Sequence, residues 1–251
     1  MATVVREIER KYNPAEGSTV ALDAVKAMTG TAGIAAVSQQ GEQLLDAVYY
    51  DTADLRLIEA GITLRRRTGG GDAGWHLKLP AGADTKDEIR LPLDAPSGKR
   101  EATPHVRTDG AVPEELAALV RARTRGTALA PVVRIRTSRR VLWLLDGAGQ
   151  TLAEIAADHV SAEPADAAAA TSWDEIEAEL VTGDPGLLQA IDARLRKAGA
   201  RPAATATKLQ RALAGRLSAA GAAATAADQG LARGPGRTRL RARPGGRDLA
   251  V

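Results

Sequence analysis

Cysteine is absent from this 251-residue chain. That excludes disulfides, thiolate metal sites and cysteine nucleophiles, and leaves carboxylates, histidines and phosphate-type ligands as the available chemistry. Histidine is scarce too, with three residues, and there is no Phe, three Trp and three Tyr. So few aromatics weigh against stacking on flat organic rings. No run of about 18 apolar residues occurs, and the N-terminus has no charged leader followed by an apolar stretch. The expectation is a cytoplasmic protein with no membrane partner. Neither sign of charge dominates, since 34 Lys and Arg meet 31 Asp and Glu for a net charge of +3.

What is present is a core-forming complement of Ala, Leu, Val and Ile, with 44% of residues hydrophobic. From residue 3 to about 181 the chain shows runs that alternate with a period of two: "TVVREIERK", "LLDAVYYDT", "ITLRRRT", "WHLKLP", "DEIRLPL", "VVRIRTSRRVLWLLD", "TLAEIAADHV" and "SWDEIEAELV". These eight runs point to an antiparallel sheet or barrel. "TGGGDAG" (68–74) reads as a hairpin loop, because its glycines do not lead from a strand into a helix. Helices are expected at "STVALDAVKAMTG", with Val20, Leu22, Val25 and Met28 apolar, and at "PEELAALVRARTRG" and "DPGLLQAIDARLRKAG". A last helix is expected over "ATATKLQRALAGRL". The organisation read from this pattern is one domain over 1–217 and an Ala/Gly/Arg-rich disordered tail over 218–251.

Strand parity shows an unusual division. Glu7, Glu9 and Lys11 share one face of the first run, opposite Arg6, Ile8 and Arg10. In the same way Arg65 pairs with Arg67, His76 with Lys78, and Glu88 with Arg90. Arg134, Arg136, Ser138 and Arg140 share a face, as do Glu154 and Asp158, and Glu175, Glu177 and Glu179. Acids gather on the first and last strands and bases on the middle ones, whereas a solvated surface intersperses the signs. If the helices cover the apolar faces, the ionic faces line an interior, and unpaired buried charge is too costly to be filler. Several guanidinium and ammonium groups suit a polyphosphate. The carboxylates then require a divalent cation, because Mg²⁺ is held by one or two carboxylates together with substrate phosphates.

With these faces in view, "EIERK" (7–11) resembles the ExExK signature of the CYTH family, the triphosphate tunnel metalloenzymes. "YYDTADLRLIEAGITLRRR", "WHLKLP", "DEIRLPL", "RTSRRVLWLLD", "AEIAADHV" and "WDEIEAEL" follow in family order, so the resemblance covers roughly residues 3 to 215. It implies an α+β fold in which an eight-stranded antiparallel β-barrel, surrounded by helices, forms a tunnel for a triphosphate. It also implies Mg²⁺ or Mn²⁺ on Glu7, Glu9, Asp158, Glu175 and Glu177, with Glu7, Glu9 and Lys11 catalytic. Lys11, Arg65, Arg67, Lys78, Arg136, Arg140 and Lys208 correspond to phosphate ligands. At "RTSRR" the register leaves Arg139 as the alternative to Arg140, which is chosen for its parity with Arg134 and Arg136. Glu179 fits the metal face by parity alone. His76, His105 and His159 match no family role and are read as packing or surface residues.

The activity implied is metal-dependent hydrolysis of inorganic tripolyphosphate. Thiamine triphosphatase or class IV adenylyl cyclase activity on the same scaffold is the alternative, as is a non-catalytic polyphosphate-binding module. The expected partner is inorganic triphosphate or polyphosphate, with a homodimer as a further expectation. Nucleic acid is a minor one, because no aromatics interleave the arginines of the tail. In bacterial relatives such a domain precedes a helical CHAD domain, and "AGRLSAAGAAATAADQ" resembles that junction. The following "GLARGPGRTRLRARPGGRDLAV" does not, which suggests a truncated or frameshifted gene product.

Overall fold

The structure, a computed structural model, describes residues 2–14, 18–82, 84–96, 110–166, 168–204 and 207–219. The chain divides into a compact unit, Met1–Leu213, and a second unit, Ala214–Val251, of which 214–219 are described and are helical. His105 lies outside the described residues, as does the expected disordered tail with its CHAD-like junction from residue 220 onward.

In chain order the elements are β1 (Thr3–Asn13), α1 (Ser18–Lys26), β2 (Ala36–Gln39), β3 (Gln43–Asp51), α2 (Arg56–Glu59) and β4 (Thr63–Thr68). They continue with β5 (Gly74–Pro80), β6 (Thr85–Leu91), α3 (Glu114–Thr124), β7 (Ala130–Leu145) and β8 (Thr151–Pro164). The last are β9 (Thr171–Leu180), α4 (Pro185–Lys197), β10 (Arg201–Pro202) and α5 (Lys208–Ala212). Eight strands pair in the order β1, β6, β5, β4, β3, β7, β8, β9, and β9 pairs back to β1, so the sheet closes into an antiparallel barrel. Two short strands lie off this ring, β2 on β7 and β10 on β1. Closure removes the unpaired edges that an open sheet would expose. An eight-stranded barrel has an interior wide enough for its side chains or one small ligand.

The apolar face of the barrel is its outer one. Leu142, Leu144, Ile155, Ala157, Ile176 and Ala178 pack beneath α1 and α4, which contribute Leu22, Val25 and Met28, and Leu187, Leu188, Ile191 and Leu195. On another side Val48, Tyr50, Leu64, Trp75, Leu77 and Leu91 pack with Leu57 of α2 and Leu116 and Val120 of α3. Each buried Leu, Ile, Val or Met among them contributes roughly 1.5–3 kcal/mol. Val20 departs from the expected stripe of α1. It is 43% exposed, and Ala21 takes its place beside Leu22 and Val25. The ends of α4 follow its sequence: Asp184 accepts from the Gly186 N–H, Pro185 opens the first turn, and Arg194, Arg196 and Lys197 face the negative end of the helix dipole.

Two local devices shape the cavity wall. Asp51 is fully buried and accepts from the backbone N–H groups of Thr52, Leu57 and Ile58, which folds "DTADL" into α2 against the barrel. The β4–β5 hairpin turns through Gly69, at φ +78°, where a side chain would collide with the Leu44 carbonyl.

Candidate active site

Because the outer face is covered by helices, the alternate residues of every strand point inward. A cavity of about 370 Å³ opens there. Its walls carry the cations Lys11, Arg65, Arg67, Lys78, Lys86, Arg90, Arg139 and Lys208, and the carboxylates Glu7, Glu9, Asp72, Glu154, Glu177 and Glu179. Cations therefore exceed carboxylates, and the carboxylates are concentrated on one wall. β1 and β9 are neighbours, with Glu9 opposite Glu179 and Lys11 opposite Glu177, so the acidic first and last strands form a single acidic surface.

Around β1 and β6, Glu7 pairs with Lys78 and accepts from Arg90 Nη2 at 3.1 Å. Glu9 pairs with Lys86 at 2.6 Å and with Lys11 at 3.0 Å. Burial opposes ionisation of Glu9, but Lys11, Lys78 and Lys86 outweigh it and hold the carboxyl well below the usual range. Burial raises Glu7, and the nearby Glu88 adds to the rise while Lys78 opposes it. Glu179 is pushed up to about 7 by burial and by the Glu7, Glu9 and Glu177 carboxylates, against a partial pull from Lys78. It is the carboxylate of this wall that its surroundings do not neutralise.

At the β8–β9 side, Arg139 grips Asp158 with two bonds of 2.8 and 2.7 Å and donates to Glu177 at 2.6 Å. Lys208, presented by α5, places Nζ 2.8 Å from Asp158, 2.5 Å from Glu175 and 2.8 Å from Glu177. Lys11 also pairs with Glu177. α5 is fixed by a capping box: the Thr207 side chain accepts from the Gln210 N–H, and the Gln210 side chain accepts from the Thr207 N–H. Arg211 adds a hold by stacking 4.9 Å from the Trp173 ring centre.

The opposite wall is cationic. Arg65 donates to the Tyr49 hydroxyl at 3.3 Å, and Arg67 pairs with Asp72 of the hairpin loop. The Nε atoms of both arginines are buried and have no hydrogen-bond partner among the described residues. Burial and the adjacent Arg65 draw Arg67 down to about 10, the mark of a surplus of positive charge. Tyr49 is lowered despite burial because Arg65, Lys208 and Lys78 surround its hydroxyl. Orphaned guanidinium donors in a surplus of positive charge are suited to a phosphate oxygen.

The expected site residues Glu7, Glu9, Lys11, Arg65, Arg67, Lys78, Glu177 and Lys208 all line this cavity. Glu175 and Asp158 lie behind Lys208, buried and paired to it. Arg136 and Arg140 are corrections. Arg136 is exposed on the outer face, bonded to Glu163 at 2.5 Å. Its face of β7 also carries Arg134, which binds Asp46. Arg140 shares that outer face, and Arg139 supplies the inward guanidinium. The inward series on β7 is Ile135, Thr137, Arg139, Val141 and Trp143, so charge does not mark the inner face of this strand.

Some residues of the site escaped the sequence reading. Parity put Arg90 on one face with Glu88 without giving it a site role, and the same parity extended to "TKDEIRL" could have found Lys86. His76 is buried, with Nδ1 2.8 Å from Glu88 and Nε2 2.9 Å from the Asp72 carbonyl, so it ties the hairpin loop to β6. His159 is on the surface beside Asp174. No pattern in the sequence signals Tyr49 or Trp143 as cavity residues.

Hard oxygen donors fit Mg²⁺ or Mn²⁺. Asp158, Glu175 and Glu177 have ligand atoms within 4.8 Å of one another, yet the Lys208 ammonium already sits among them. Glu7, Glu9, Glu177 and Glu179 offer further carboxylate oxygens on the cavity wall itself.

Comparison with known proteins gives a consistent result. The CYTH domain matches residues 5–212. An uncharacterized protein of Mycobacterium tuberculosis, found in two strains, is 42% identical over 221 residues, which cover 82% of this chain and 40% of the relative. The chain thus spans 40% of the length of these curated relatives. Among solved structures, an adenylate cyclase candidate from Bacillus halodurans superposes with a TM-score of 0.53 at 20% identity, covering 83% of this chain and 97% of its own. An adenylyl cyclase candidate from Hippeastrum, described as having a dominant triphosphatase activity, gives 0.48 at 14% identity, covering 84% and 95%. The first of these likenesses shows the shared barrel fold.

Proposed function

The chain belongs to the CYTH domain family, and from that premise we propose that its cavity hydrolyses the terminal phosphoanhydride of a triphosphate, with inorganic tripolyphosphate as the simplest substrate. The observation that carries the reading is the pair of opposed walls: buried guanidinium groups with orphaned Nε donors face a carboxylate wall that is only partly neutralised. Arg65 and Arg67 bind the inner phosphates, and Lys78, Lys86, Arg90, Lys11 and Arg139 distribute along the chain's remaining oxygens. Asp72 serves as the resident counterion of Arg67 and yields it to the substrate.

Glu7, Glu9, Glu177 and Glu179 would hold the divalent ion, as Mg²⁺ or Mn²⁺. When bound, that ion neutralises phosphate charge and polarises the phosphoryl oxygen. Asp158 and Glu175 act one layer back, holding Lys208 and Arg139 in place. The attacking water forms a bond to the terminal phosphorus as the bridging P–O bond breaks, and phosphate and pyrophosphate result. Its proton passes to a carboxylate oxygen of the acidic wall. Such a site works by positioning and electrostatics and needs no covalent nucleophile.

Phosphate release from tripolyphosphate, pyrophosphate, ATP and thiamine triphosphate, with Mg²⁺ and with Mn²⁺, tests the reading. Release from tripolyphosphate is expected to be lost when the ion is chelated. Glu9→Gln is expected to lower kcat at least 100-fold while circular dichroism stays native. Wild-type turnover in that variant would refute the assignment.

A further inference from the structure

The β4–β5 hairpin loop and His76 stand outside the phosphate chemistry, yet both converge on Asp72. From that loop the Asp72 carboxylate reaches the Arg67 guanidinium at the cavity wall. The Arg67 side chain is 6% exposed and that of Asp72 39%, so the pair joins a buried cation to an anion that water reaches. Three glycines precede Asp72, and a Cβ added at Gly71 would meet nothing within 4 Å, so the turn beside Asp72 has room to swing. His76 holds it. The Asp72 carbonyl can only accept, so His76 Nε2 donates to it, at 2.9 Å, while Nδ1 lies 2.8 Å from Glu88. Glu88 is fixed in turn by Arg90 and by Lys78 at 3.6 Å. A buried ring braced on β6 therefore sets where the Asp72 backbone sits, and with it where the carboxylate points.

We propose that Asp72 is an internal anion that competes with substrate phosphate for Arg67, and that His76 is the positioning residue that keeps it in place. The inference rests on the triphosphate reading of the cavity and deepens it. A carboxylate and a phosphate oxygen make the same charge-assisted bonds to a guanidinium, so one cation serves both in turn. In the empty cavity Asp72 spares Arg67 the cost of standing unpaired and buried beside Arg65. Every ligand that takes Arg67 displaces this carboxylate and stretches the His76 bond as the loop swings out. Affinity is thereby lowered for substrate and product alike, and the returning carboxylate helps product to leave.

Calorimetric titration with tripolyphosphate and pyrophosphate in chelator reads affinity without turnover. Asp72→Asn is expected to tighten both about tenfold, and Arg67→Gln to weaken both. In the Arg67→Gln background Asp72→Asn should leave Kd within about twofold, because no guanidinium is left to contest. An equal gain in both backgrounds would mean that Asp72 acts only as a nearby negative charge, and the competition would be overturned. His76→Gln and His76→Ala replace at most one of the two ring nitrogens, and each should tighten tripolyphosphate severalfold, but not when combined with Asp72→Asn. The same change with and without Asp72→Asn would make His76 merely structural. If neither His76 variant folds, the wild type decides: with three histidines in the chain, the His76 Nε2–H signal can be followed by NMR, and saturating tripolyphosphate should shift it. An unmoved signal would rule out the positioning role. If wild type and Asp72→Asn both fail to bind, the triphosphate reading and this inference fall together, whereas binding with no difference between them removes the inference alone.

Discussion

Arg139 and Arg140 are adjacent in sequence, and they face opposite sides of the barrel wall. Arg139→Ala removes three charge-assisted bonds from the buried Asp158 and Glu177. Breaking one side of a buried pair costs about 3–5 kcal/mol, so urea unfolding of this variant should show a loss of that order together with at least tenfold lower turnover. Arg140→Ala and Arg136→Ala remove outer-face charges and are expected to stay within about 1 kcal/mol of wild type, with activity unchanged. Glu179 supports a second prediction. Its folded pKa lies at about 7, above the ordinary 4.5, so between those values the folded state holds more protons than the unfolded one. Stability therefore falls as pH rises through this window. Without divalent ions, Glu179→Gln should raise Tm at pH 8 by roughly 2–4 °C and change it little at pH 4, as read by thermal melts. Added Mg²⁺ should reverse the order at pH 8, because the wild type then gains a ligand that the amide does not supply.

Among the elements, β1 and α5 shape the site in different ways. β1 pairs with β6 through residues 3–8 and with β9 through residues 9–12, so one strand sets Glu7 beside Lys86 of β6 and Glu9 beside Glu179 of β9. α5 is only five residues long, and it contributes Lys208 to a cluster of three carboxylates. Thr207→Ala removes the cap and is expected to cost about 1 kcal/mol. Lys208→Met leaves Asp158, Glu175 and Glu177 with one cation fewer, so its destabilisation should be several kcal/mol at pH 7. The loss should be smaller at pH 4, where protonation of a carboxylate relieves the repulsion. Denaturant melts at the two pH values check the difference. If Lys208→Met lost the same amount at both, the ammonium would not be balancing these carboxylates.

At the scale of the whole barrel, the sheet is lined with charge and coated with its apolar core. Closure makes this arrangement stable, because Glu7, Glu9, Asp158 and Glu177 each find a cation on another strand, and Glu179 is the exception. Glu9, Glu88, Asp158 and Glu177 are all held below their ordinary values despite burial: Glu9 and Glu177 by Lys11, Glu88 by His76 and Lys78, and Asp158 by Lys208 and Arg139. A depressed folded pKa means stability that is present above the unfolded value and lost as pH falls toward the folded one. The barrel should therefore resist unfolding near pH 7 and lose stability steeply below about pH 4. Circular dichroism melts from pH 7 to pH 3 would show it, and a flat Tm across that range would mean that the inward ion pairs contribute little.

Much was legible in the sequence because a strand's period of two is a local property. "EIERK" alone fixed Glu7, Glu9 and Lys11 on one face, and "ITLRRR" and "WHLKLP" did the same for Arg65, Arg67, His76 and Lys78. The eight runs became the eight barrel strands, and the helices supplied the apolar stripes that cover them. Parity cannot say which face is inside, and it failed at β7, where the more charged face turned outward because Asp46 and Glu163 neutralise it there. The sequence by itself determined the strands, their two faces and the segregation of acids from bases. Only the tertiary structure decided that β1 lies beside β9, that Arg139 and Lys208 converge on Asp158 and Glu177, and that Trp143 lines the cavity. These depend on closure of the ring, which brings together residues far apart in the chain and is encoded in no local pattern.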